Sequence, residues 1–278
     1  MVNGRITVLV ENTAGGRGLL GEHGLSFWIE VGGKSILFDT GQGNVLLGNA
    51  RRLGIRLEQI DAIVVSHGHY DQTGGLDDAL RAARRATVYA HRTAFNPKYS
   101  RSPDGSARDI GMPQMDEQAV RDMADLVLVD GPTQICEGFF LTGPIPRMND
   151  FEDTGGPFFM DSACTDPDPL MDDQAAFVET PAGTVVILGC AHAGVINTLQ
   201  YIQSLTNSWP IHTVIGGMHL LHASPERMDK TVAELRRLDV KRILPCHCTG
   251  LPAIARLWNE FAGRCAACPV GTVLEMAG

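Results

Sequence analysis

The chain has 278 residues, of which 44% are hydrophobic and 20% are charged, and its formal net charge at pH 7 is −9. A chain of this length fits one or two domains. Its longest apolar runs are far shorter than the roughly 20 residues that a transmembrane helix needs. Acidic residues outnumber basic ones, and no dense Lys/Arg cluster is present. We therefore expect a globular protein with neither a membrane nor a nucleic acid as its partner.

The N-terminal residues lead directly into a strand-like apolar run, without the basic segment and apolar core of a signal peptide. We therefore expect a cytoplasmic location. Seven cysteines are an odd number in a chain too long to need disulfides for its stability, which predicts reduced thiols. One alternative stays open: Cys265 and Cys268, spaced as Cys-x-x-Cys, could form a zinc knuckle with Cys246 and Cys248.

Short β-branched segments alternate with helical ones along the chain. Segments 26–31 and 34–39 flank Gly32-Gly33, a pair that favours a tight hairpin. A buried strand at 61–66, a helix at 76–85 and a strand at 87–90 follow. In the last third, strands are predicted at 184–188, 212–215 and 242–244, and helices at 193–205, 225–238 and 252–261. This order predicts an α/β (α+β) protein in which two mixed sheets carry helices on their outer faces.

Two long segments, near 95–118 and 143–173, lack sustained periodicity. Both are rich in Gly, Pro, Asp, Asn and Met, which is typical of loops. Loops of this length are usually functional or disordered. We expect Asp172 and Asp173, at the end of the second segment, to cap the following strand or to contact a polar group of a substrate.

The most informative pattern is a His that follows an apolar strand, and it occurs four times. The residues concerned are His67 with His69, His192, His219 and His247. Residues at the ends of neighbouring strands can meet in one crevice. Because imidazole is a common ligand of zinc and similar cations, the pattern predicts a metal site. Surface or core roles are expected for His23, His91, His212 and His222.

The segment around the first two of these histidines resembles the metallo-β-lactamase superfamily, whose signature is His-x-His-x-Asp-His after a strand. Here it reads Ser66-His67-Gly68-His69-Tyr70-Asp71-Gln72-Thr73-Gly74-Gly75-Leu76. The segment 37–41 is similar to the strand-end Asp motif of that family. Segments 189–194, 216–220 and 246–250 resemble the dihydropterin–ribofuranosylaminobenzene phosphate synthase-like subgroup. The resemblance covers nearly the whole chain and implies one αββα sandwich domain over 1–278.

The resemblance also implies a set of metal ligands. The first site would consist of His67, His69 and His192, with one position left for water. The second would use Asp71, Gln72 and His247. The family has a His where this chain has Gln72, and a neutral amide is a weaker ligand. His219 lies roughly where the family has a bridging Asp. We therefore expect one firm Zn²⁺ site and one conditional site, with Mn²⁺ or Fe as other candidates for the metal.

Roles for further residues follow from the same resemblance. The predicted catalytic residues are Asp71, which would orient or deprotonate the attacking water, and His219. Asp39 is expected to accept a hydrogen bond from a ligand imidazole. Arg147 is expected to hold a phosphate or carboxylate of the substrate, with Arg17 and Lys98 as helpers; a solvated surface position is the open alternative for Arg147. Cys190, Cys246 and Cys248 are expected to pack as small apolar groups or to adjust the surroundings of the ligands.

The implied function is hydrolysis of a small molecule, which could carry a phosphate. In this hypothesis a metal-bound hydroxide attacks a phosphoester, thioester or lactone-type substrate. Three alternatives stay open: a pterin-related phosphate synthase or cyclase, an iron-dependent redox enzyme, and a non-catalytic binder whose second site has decayed at Gln72. Metal analysis and assays with generic substrates distinguish among them.

Overall fold

Two mixed β-sheets pack face to face, and helices cover the outer face of each. The structure is a computed structural model that describes residues 2–276. The strands are β1 Gly4–Val10, β2 Ser26–Val31, β3 Lys34–Phe38, β4 Ala62–Val64, β5 Thr87–Ala90, β6 Tyr99–Arg101, β7 Ala107–Asp109, β8 Asp125–Leu128, β9 Thr133–Cys136, β10 Phe139–Leu141, β11 Phe158–Phe159, β12 Ala176–Thr180, β13 Gly183–Leu188, β14 Ile211–Gly217, β15 Arg242–Cys246 and β16 Val273–Met276. The α-helices are α1 Leu46–Arg52, α2 Tyr70–Thr73, α3 Leu76–Ala82, α4 Glu117–Met123, α5 Val195–Leu205, α6 Pro225–Arg237 and α7 Leu251–Glu260. This architecture confirms the predicted αββα sandwich.

The first sheet has seven strands in the order β16-β1-β2-β3-β4-β5-β8. Its first four strands are antiparallel neighbours, and the pairs from β3 to β8 are parallel. Gly32 and Gly33 connect β2 to β3 with φ of 57° and 72°. Because residues with a side chain rarely adopt these angles, the two glycines allow the tight turn. The predicted hairpin is therefore confirmed.

The second sheet has six strands in the order β15-β14-β13-β12-β10-β9. It repeats the plan of the first sheet, because antiparallel pairs lead to parallel pairs at β13, β14 and β15. Each parallel strand is buried along most of its length and ends at a polar or glycine-rich segment. The carboxyl ends of these strands are therefore free to supply polar side chains to a site.

The core consists of three layers of apolar side chains. Between the sheets lie large residues that include Phe27, Phe38 and Phe139, all with 0% exposure. Helices α5, α6 and α7 cover the second sheet, whereas α1, α3 and α4 cover the first. No helix within residues 2–276 combines the length and apolar character that crossing a membrane would require.

The two long segments predicted as loops contain more regular structure than expected. Strands β6 and β7 in the first and β11 in the second form a small third sheet in the order β11-β6-β7. Phe158 pairs with Ser100, and Phe159 pairs with Tyr99. The sequence prediction missed this sheet because strands of two or three residues show no usable periodicity, and the pairing of β11 with β6 joins segments far apart in the chain. The second segment therefore folds back over the sandwich edge near residue 158.

Candidate metal centre

The predicted histidines lie together where the parallel strands of both sheets end. His67 and His69 follow β4, His192 follows β13, His219 follows β14, and His247 follows β15. Ala191, His219 and His247 have φ of 55°, 46° and 51°, in the left-handed region that non-glycine residues rarely adopt. Such conformations persist only where the surrounding structure enforces them. The chain therefore turns sharply at these strand ends, close to the cluster of side chains.

His67, His69 and His192 form the tightest histidine group. Their ring centroids are 4.6 to 4.9 Å apart, and their ligand atoms all lie within 4.8 Å of one another. His192 donates its Nδ1 hydrogen to the carbonyl oxygen of Thr154 at 2.8 Å, which leaves the lone pair on Nε2. The buried Nε2 atoms of His69 and His192 have no hydrogen-bond partner within the described residues. These nitrogens are therefore available as ligands.

The protonation of these three rings also suits a metal. Burial lowers the pKa of His67 from 6.5 to about 4. Burial, together with the neighbouring imidazoles, lowers the pKa values of His69 and His192 well below the usual range. All three rings are therefore neutral at pH 7, which is the form that binds a cation.

A second group of donors lies beside the first, around Asp71 and His247. Asp71 Oδ2 is 3.3 Å from His247 Nε2 and 3.2 Å from His23 Nε2. Gln72 Nε2 is 3.0 Å from the same His247 nitrogen. The structure therefore brings together the three residues predicted for the second site, Asp71, Gln72 and His247. His23, which was expected to have a surface or core role, belongs to the same group.

The charges of this second group are coupled. Burial alone would raise the pKa of Asp71, but hydrogen bonds from His23 and His247 hold it well below the usual range. Burial alone would lower the pKa of His247, but the hydrogen bond to Asp71 and nearby negative charge raise it to about 9. In the absence of a cation, a protonated His247 therefore neutralises the Asp71 carboxylate.

Asp39 supports the three-histidine group differently from the prediction. Its Oδ1 accepts the backbone N–H of Ser66 at 2.7 Å, and Ser66 Oγ lies 2.9 Å from His67 Nδ1. Asp39 thus acts on His67 through Ser66, whereas a direct hydrogen bond from an imidazole was expected. The reason is that Asp39, which follows β3, lies opposite the backbone of the segment after β4 in the same parallel ladder.

Asp172 and Asp173 hold the backbone of the ligand segments. Asp172 Oδ2 accepts the N–H of Gly68, between His67 and His69, at 2.7 Å. Asp173 Oδ2 accepts the N–H of Ala193, which follows His192, at 2.7 Å. These contacts replace the two expected roles, a strand cap or a substrate contact. They bridge 104 and 20 residues of chain, so local sequence patterns could not reveal them.

Lys98 requires a correction, because its predicted substrate contact is inconsistent with its position. The side chain is 2% exposed, and its Nζ is 2.9 Å from Asp168 Oδ2 and 3.0 Å from Asp172 Oδ1. A buried ammonium that already pairs with two carboxylates is not available to bind an anionic group of a substrate. Lys98 therefore holds Asp172 in place and does not face the cavity that contains the histidines.

His69, His192 and His247 line a cavity of about 680 Å³. Phe158, from the third sheet, packs over the metal-site rings with its centroid 5.1 Å from that of His69 and 5.2 Å from that of His192. His219 also lines the cavity, and its ring centroid is 4.3 Å from that of His192. Burial would lower the pKa of His219, but the neighbouring Cys248 raises it. The cavity therefore combines ligand atoms with an aromatic wall and a histidine whose pKa is raised.

The basic residues at the cavity differ from those predicted. Arg147 is exposed and donates to the carbonyl oxygen of Pro169, and Arg17 is exposed in the loop before β2; neither lines the cavity. Arg101 and Arg108 line it instead, on strands β6 and β7. Arg108 also donates to the Tyr70 hydroxyl at 2.6 Å. The sequence prediction missed this pair because it placed both residues in an irregular loop.

The seven cysteines all fall within residues 2–276, and all are free thiols. In this described range, no donor cluster joins Cys265 or Cys268 to Cys246 and Cys248. Cys246, Cys265 and Cys268 pack instead within the apolar core. The structure therefore offers no zinc knuckle at the Cys-x-x-Cys segment.

These residues fit a divalent cation. The nitrogens of three neutral imidazoles converge here, and two of these nitrogens are buried without a hydrogen-bond partner in the described residues. Three such imidazoles are the donor set of a catalytic zinc site, in which one coordination position stays open. Hydrogen bonds to the distal ring nitrogens of His67 and His192 fix both rings, as in known metal sites.

Comparison with known proteins agrees with this geometry. The family model described as the metallo-beta-lactamase superfamily matches residues 20–247. Two Methanocaldococcus jannaschii proteins are similar to this chain. The uncharacterized protein MJ0448 is 33% identical over 91% of this chain and 93% of its own length. A 7,8-dihydropterin-6-methyl-4-(beta-D-ribofuranosyl)-aminobenzene-5'-phosphate synthase is 30% identical over 93% of this chain and 92% of its own length. The crystal structure of Tm1679, a metal-dependent hydrolase of the beta-lactamase superfamily, has a TM-score of 0.84 and 34% identity over 99% of this chain and 100% of its own. A diphosphatase of the PhnP family shares the fold, with a TM-score of 0.55 and 17% identity over 99% of this chain and 98% of its own. The chain belongs to the metallo-beta-lactamase superfamily.

Proposed function

We propose that this protein is a metal-dependent hydrolase of small anionic esters, thioesters or lactones. The observation that carries the proposal is the convergence of three neutral, buried imidazoles, His67, His69 and His192, of which His69 and His192 line a large cavity. A divalent cation held there supplies a Lewis acid, which lowers the pKa of water and polarises a carbonyl or phosphoryl oxygen. Zn²⁺ suits the nitrogen ligands best, and Mn²⁺ or Fe²⁺ is compatible with them.

Asp71 and His219 would provide the proton chemistry. Asp71 is the one carboxylate among the cavity-lining residues in the described part of the chain. Because its pKa lies well below the usual range, it stays ionised and would orient a water by accepting a hydrogen bond. His219 would donate a proton to the leaving group, because its pKa is raised and its buried Nδ1 has no partner.

The cavity walls favour a substrate that is both flat and anionic. Phe158 and Tyr70 supply aromatic surface, while Arg101 and Arg108 place positive charge at the same cavity. Guanidinium groups bind phosphate and carboxylate oxygens well, and aromatic faces stack on planar rings. The substrate would therefore carry a phosphate or carboxylate next to an aromatic or heterocyclic group.

The test compares metal-loaded wild type with His69→Ala on four substrates: a phosphomonoester, a phosphodiester, a thioester and a lactone. We expect turnover of at least one class and a loss of kcat/KM of about 1000-fold in the variant, because a bound metal contributes several kcal/mol to the transition state. His212→Ala is the matched control, since His212 is at the far end of β14 and outside every donor cluster.

Three outcomes would contradict the proposal. Metal-loaded protein that hydrolyses none of the four classes would favour the synthase activity of the 30% identical relative. Hydrolysis that survives both His69→Ala and removal of the metal would show that the three-histidine group is not the site. An iron-specific visible spectrum without hydrolysis would support the redox alternative.

A further inference from the structure

The segment 152–155 contacts two of the cavity histidines as well as helices α5 and α6. The carbonyl oxygen of Thr154 accepts the Nδ1 hydrogen of His192 at 2.8 Å. Gly155 lies so close to His219 that a Cβ at this glycine would be 1.9 Å from Cδ2 of the ring. A shift of this short stretch of backbone would therefore move the hydrogen-bond partner of a metal-site ring.

Glu152 holds the start of this segment to helix α5. The side chain is buried, its Oε1 accepts the N–H of Ile196 at 2.9 Å, and its Oε2 accepts the N–H of Asn197 at 2.9 Å. N–H groups in the first turn of a helix have no acceptor within the helix, so a carboxylate there satisfies them. The absence of a side chain at Gly194 makes room, since a Cβ there would lie 2.3 Å from Glu152 Oε2. The helix that begins three residues after His192 thus fixes one end of the segment.

Arg227, in the first turn of α6, holds the middle of the segment. Its side chain is 5% exposed, and its Nη1 donates to Asp153 Oδ1 at 2.5 Å. Within residues 2–276, Asp153 is its one ion-pair partner, and its buried Nε and Nη2 atoms have no hydrogen-bond partner. The same Asp153 oxygen accepts the N–H of Gly155 at 2.8 Å. The guanidinium is thus connected, through one carboxylate, to the residues on both sides of Thr154.

Stability does not account for this ion pair. The Asp153 side chain is 75% exposed, so water screens its attraction for the guanidinium. The buried guanidinium nevertheless bears the cost of removing a charge from water, and two of its nitrogens gain no hydrogen bond in the described residues. An apolar side chain of similar volume would fill the same space without that cost. What Arg227 adds is a directed donor at a fixed place beside segment 152–155.

We propose that Arg227 is a positioning residue for the three-histidine site, which it reaches through Asp153. The pair keeps the Thr154 carbonyl in place, and this carbonyl holds the proton of His192 on Nδ1 and leaves the lone pair on Nε2. The hydrogen bond of one ring nitrogen sets which nitrogen of a histidine is protonated, and partners outside the ligand shell change metal affinity by about 10–100-fold. The inference rests on the metal site of the proposed function, but it holds for any reaction at that metal.

The experiment compares the full-length wild type with Arg227→Met and Asp153→Ala in two measurements that need no turnover. The first is the affinity for the first zinc ion, measured against a competing chelator. We expect a loss of about tenfold in each variant, the lower end of the range, because Arg227 acts through intervening residues. The double variant should lose no more than either single variant, since both changes break the same contact. Arg237→Met is the control, because Arg237 is exposed and pairs with Glu234 on the same helix.

The second measurement is NMR of the histidine ring nitrogens in the metal-free protein, in which the His192 signals are assigned by their loss in His192→Gln. The wild type should carry the His192 proton on Nδ1. In Arg227→Met and Asp153→Ala, a measurable fraction of the folded molecules should carry it on Nε2. A loss of stability alone does not change this fraction within the folded state, so the measurement separates positioning from a merely structural role.

An unchanged His192 tautomer, or an unchanged zinc affinity, in both variants would overturn the proposal. Losses of zinc affinity that add up in the double variant would overturn it as well, because Arg227 would then act independently of Asp153. If Arg227→Met does not fold, Asp153→Ala still gives the answer, since Asp153 is exposed. Protein that shows both expected effects but hydrolyses none of the four substrate classes would contradict the proposed function alone.

Discussion

The buried ion pair of Lys98 gives the sharpest test of how the site is supported. Lys98 Nζ is 2.9 Å from Asp168 Oδ2 and 3.0 Å from Asp172 Oδ1, and all three side chains are at most 5% exposed. Replacing Lys98 with Met keeps most of the side-chain volume but removes the ammonium. Two carboxylates then stay buried without a positive partner, which is the costly case for a buried pair.

The magnitude follows from this geometry. Removing one partner of a buried ion pair costs about 3–5 kcal/mol of unfolding free energy, and here one cation serves two anions. For a chain of this size that corresponds to a fall of about 6–10 °C in Tm. The change should also reach the metal site, because Asp172 accepts the N–H of Gly68 between two of the ligands. We expect affinity for a metal at the three-histidine site to fall about 10–100-fold.

Urea denaturation and zinc titration measure the two effects on Lys98→Met. Arg85→Met is the control, because Arg85 is 90% exposed and lies 4.0 Å from Asp125, so no measurable change in either quantity is expected. Asp168→Asn should cost less than Lys98→Met, since Asp172 still neutralises the ammonium. A loss of less than about 1 kcal/mol in Lys98→Met would refute the reasoning that this buried charge network stabilises the fold.

Three further predictions concern the three-histidine site and its neighbour. Burial lowers the pKa of His67 to about 4, whereas the same side chain in the unfolded protein has a pKa near 6.5. The unfolding free energy of the metal-free protein should therefore fall by about 3 kcal/mol through this residue as the pH falls from 6.5 to 4. A urea unfolding midpoint that stays constant over this pH range would contradict the prediction. Gly189→Ala would place a Cβ 2.1 Å from Ser66 Oγ. It should therefore lower the unfolding free energy by about 1–3 kcal/mol in urea denaturation and weaken zinc binding. The control is Gly131→Ala, which should change neither quantity because the space around Gly131 is open. Gln72→His should strengthen binding of the second metal by at least about tenfold in zinc titrations, because imidazole is the better zinc ligand; unchanged affinity would show that residue 72 does not ligate.

Local patterns in the sequence predicted most of the sandwich. Gly32-Gly33 specified its hairpin because only glycine adopts both turn angles easily, and β-branched runs specified the central strands. The positions of the histidines after apolar strands predicted that they lie at strand ends, where polar side chains of neighbouring strands can meet in one crevice. Each of these inferences depends on residues within a few positions of one another, which is why the sequence alone could support them.

The predictions that failed depend on contacts between distant segments. Lys98 looked like a surface residue of a loop, but its buried position arises from Asp168 and Asp172, some 70 residues away. Arg108 was overlooked because it reaches the cavity only once β6, β7 and β11 have paired. Asp39 was expected to contact an imidazole directly, since the sequence could not show that Ser66 stands between them. In each case tertiary structure decided which atoms meet.

The segment Asp172–Gln174 explains why the three imidazoles keep their mutual distances although they come from different sheets. His67 and His69 follow a strand of the seven-stranded sheet, whereas His192 follows a strand of the six-stranded sheet. Asp172 accepts a backbone hydrogen bond beside the first pair, and the next residue, Asp173, accepts one beside His192. Gln174 adds two bonds to the segment after β4, from its N–H to the carbonyl oxygen of Ser66 and from its side chain to that of Val65. Because consecutive residues of one segment hold both sheet edges, a relative shift of the sheets must break these buried hydrogen bonds, and the segment thereby helps to set the spacing of the ligands.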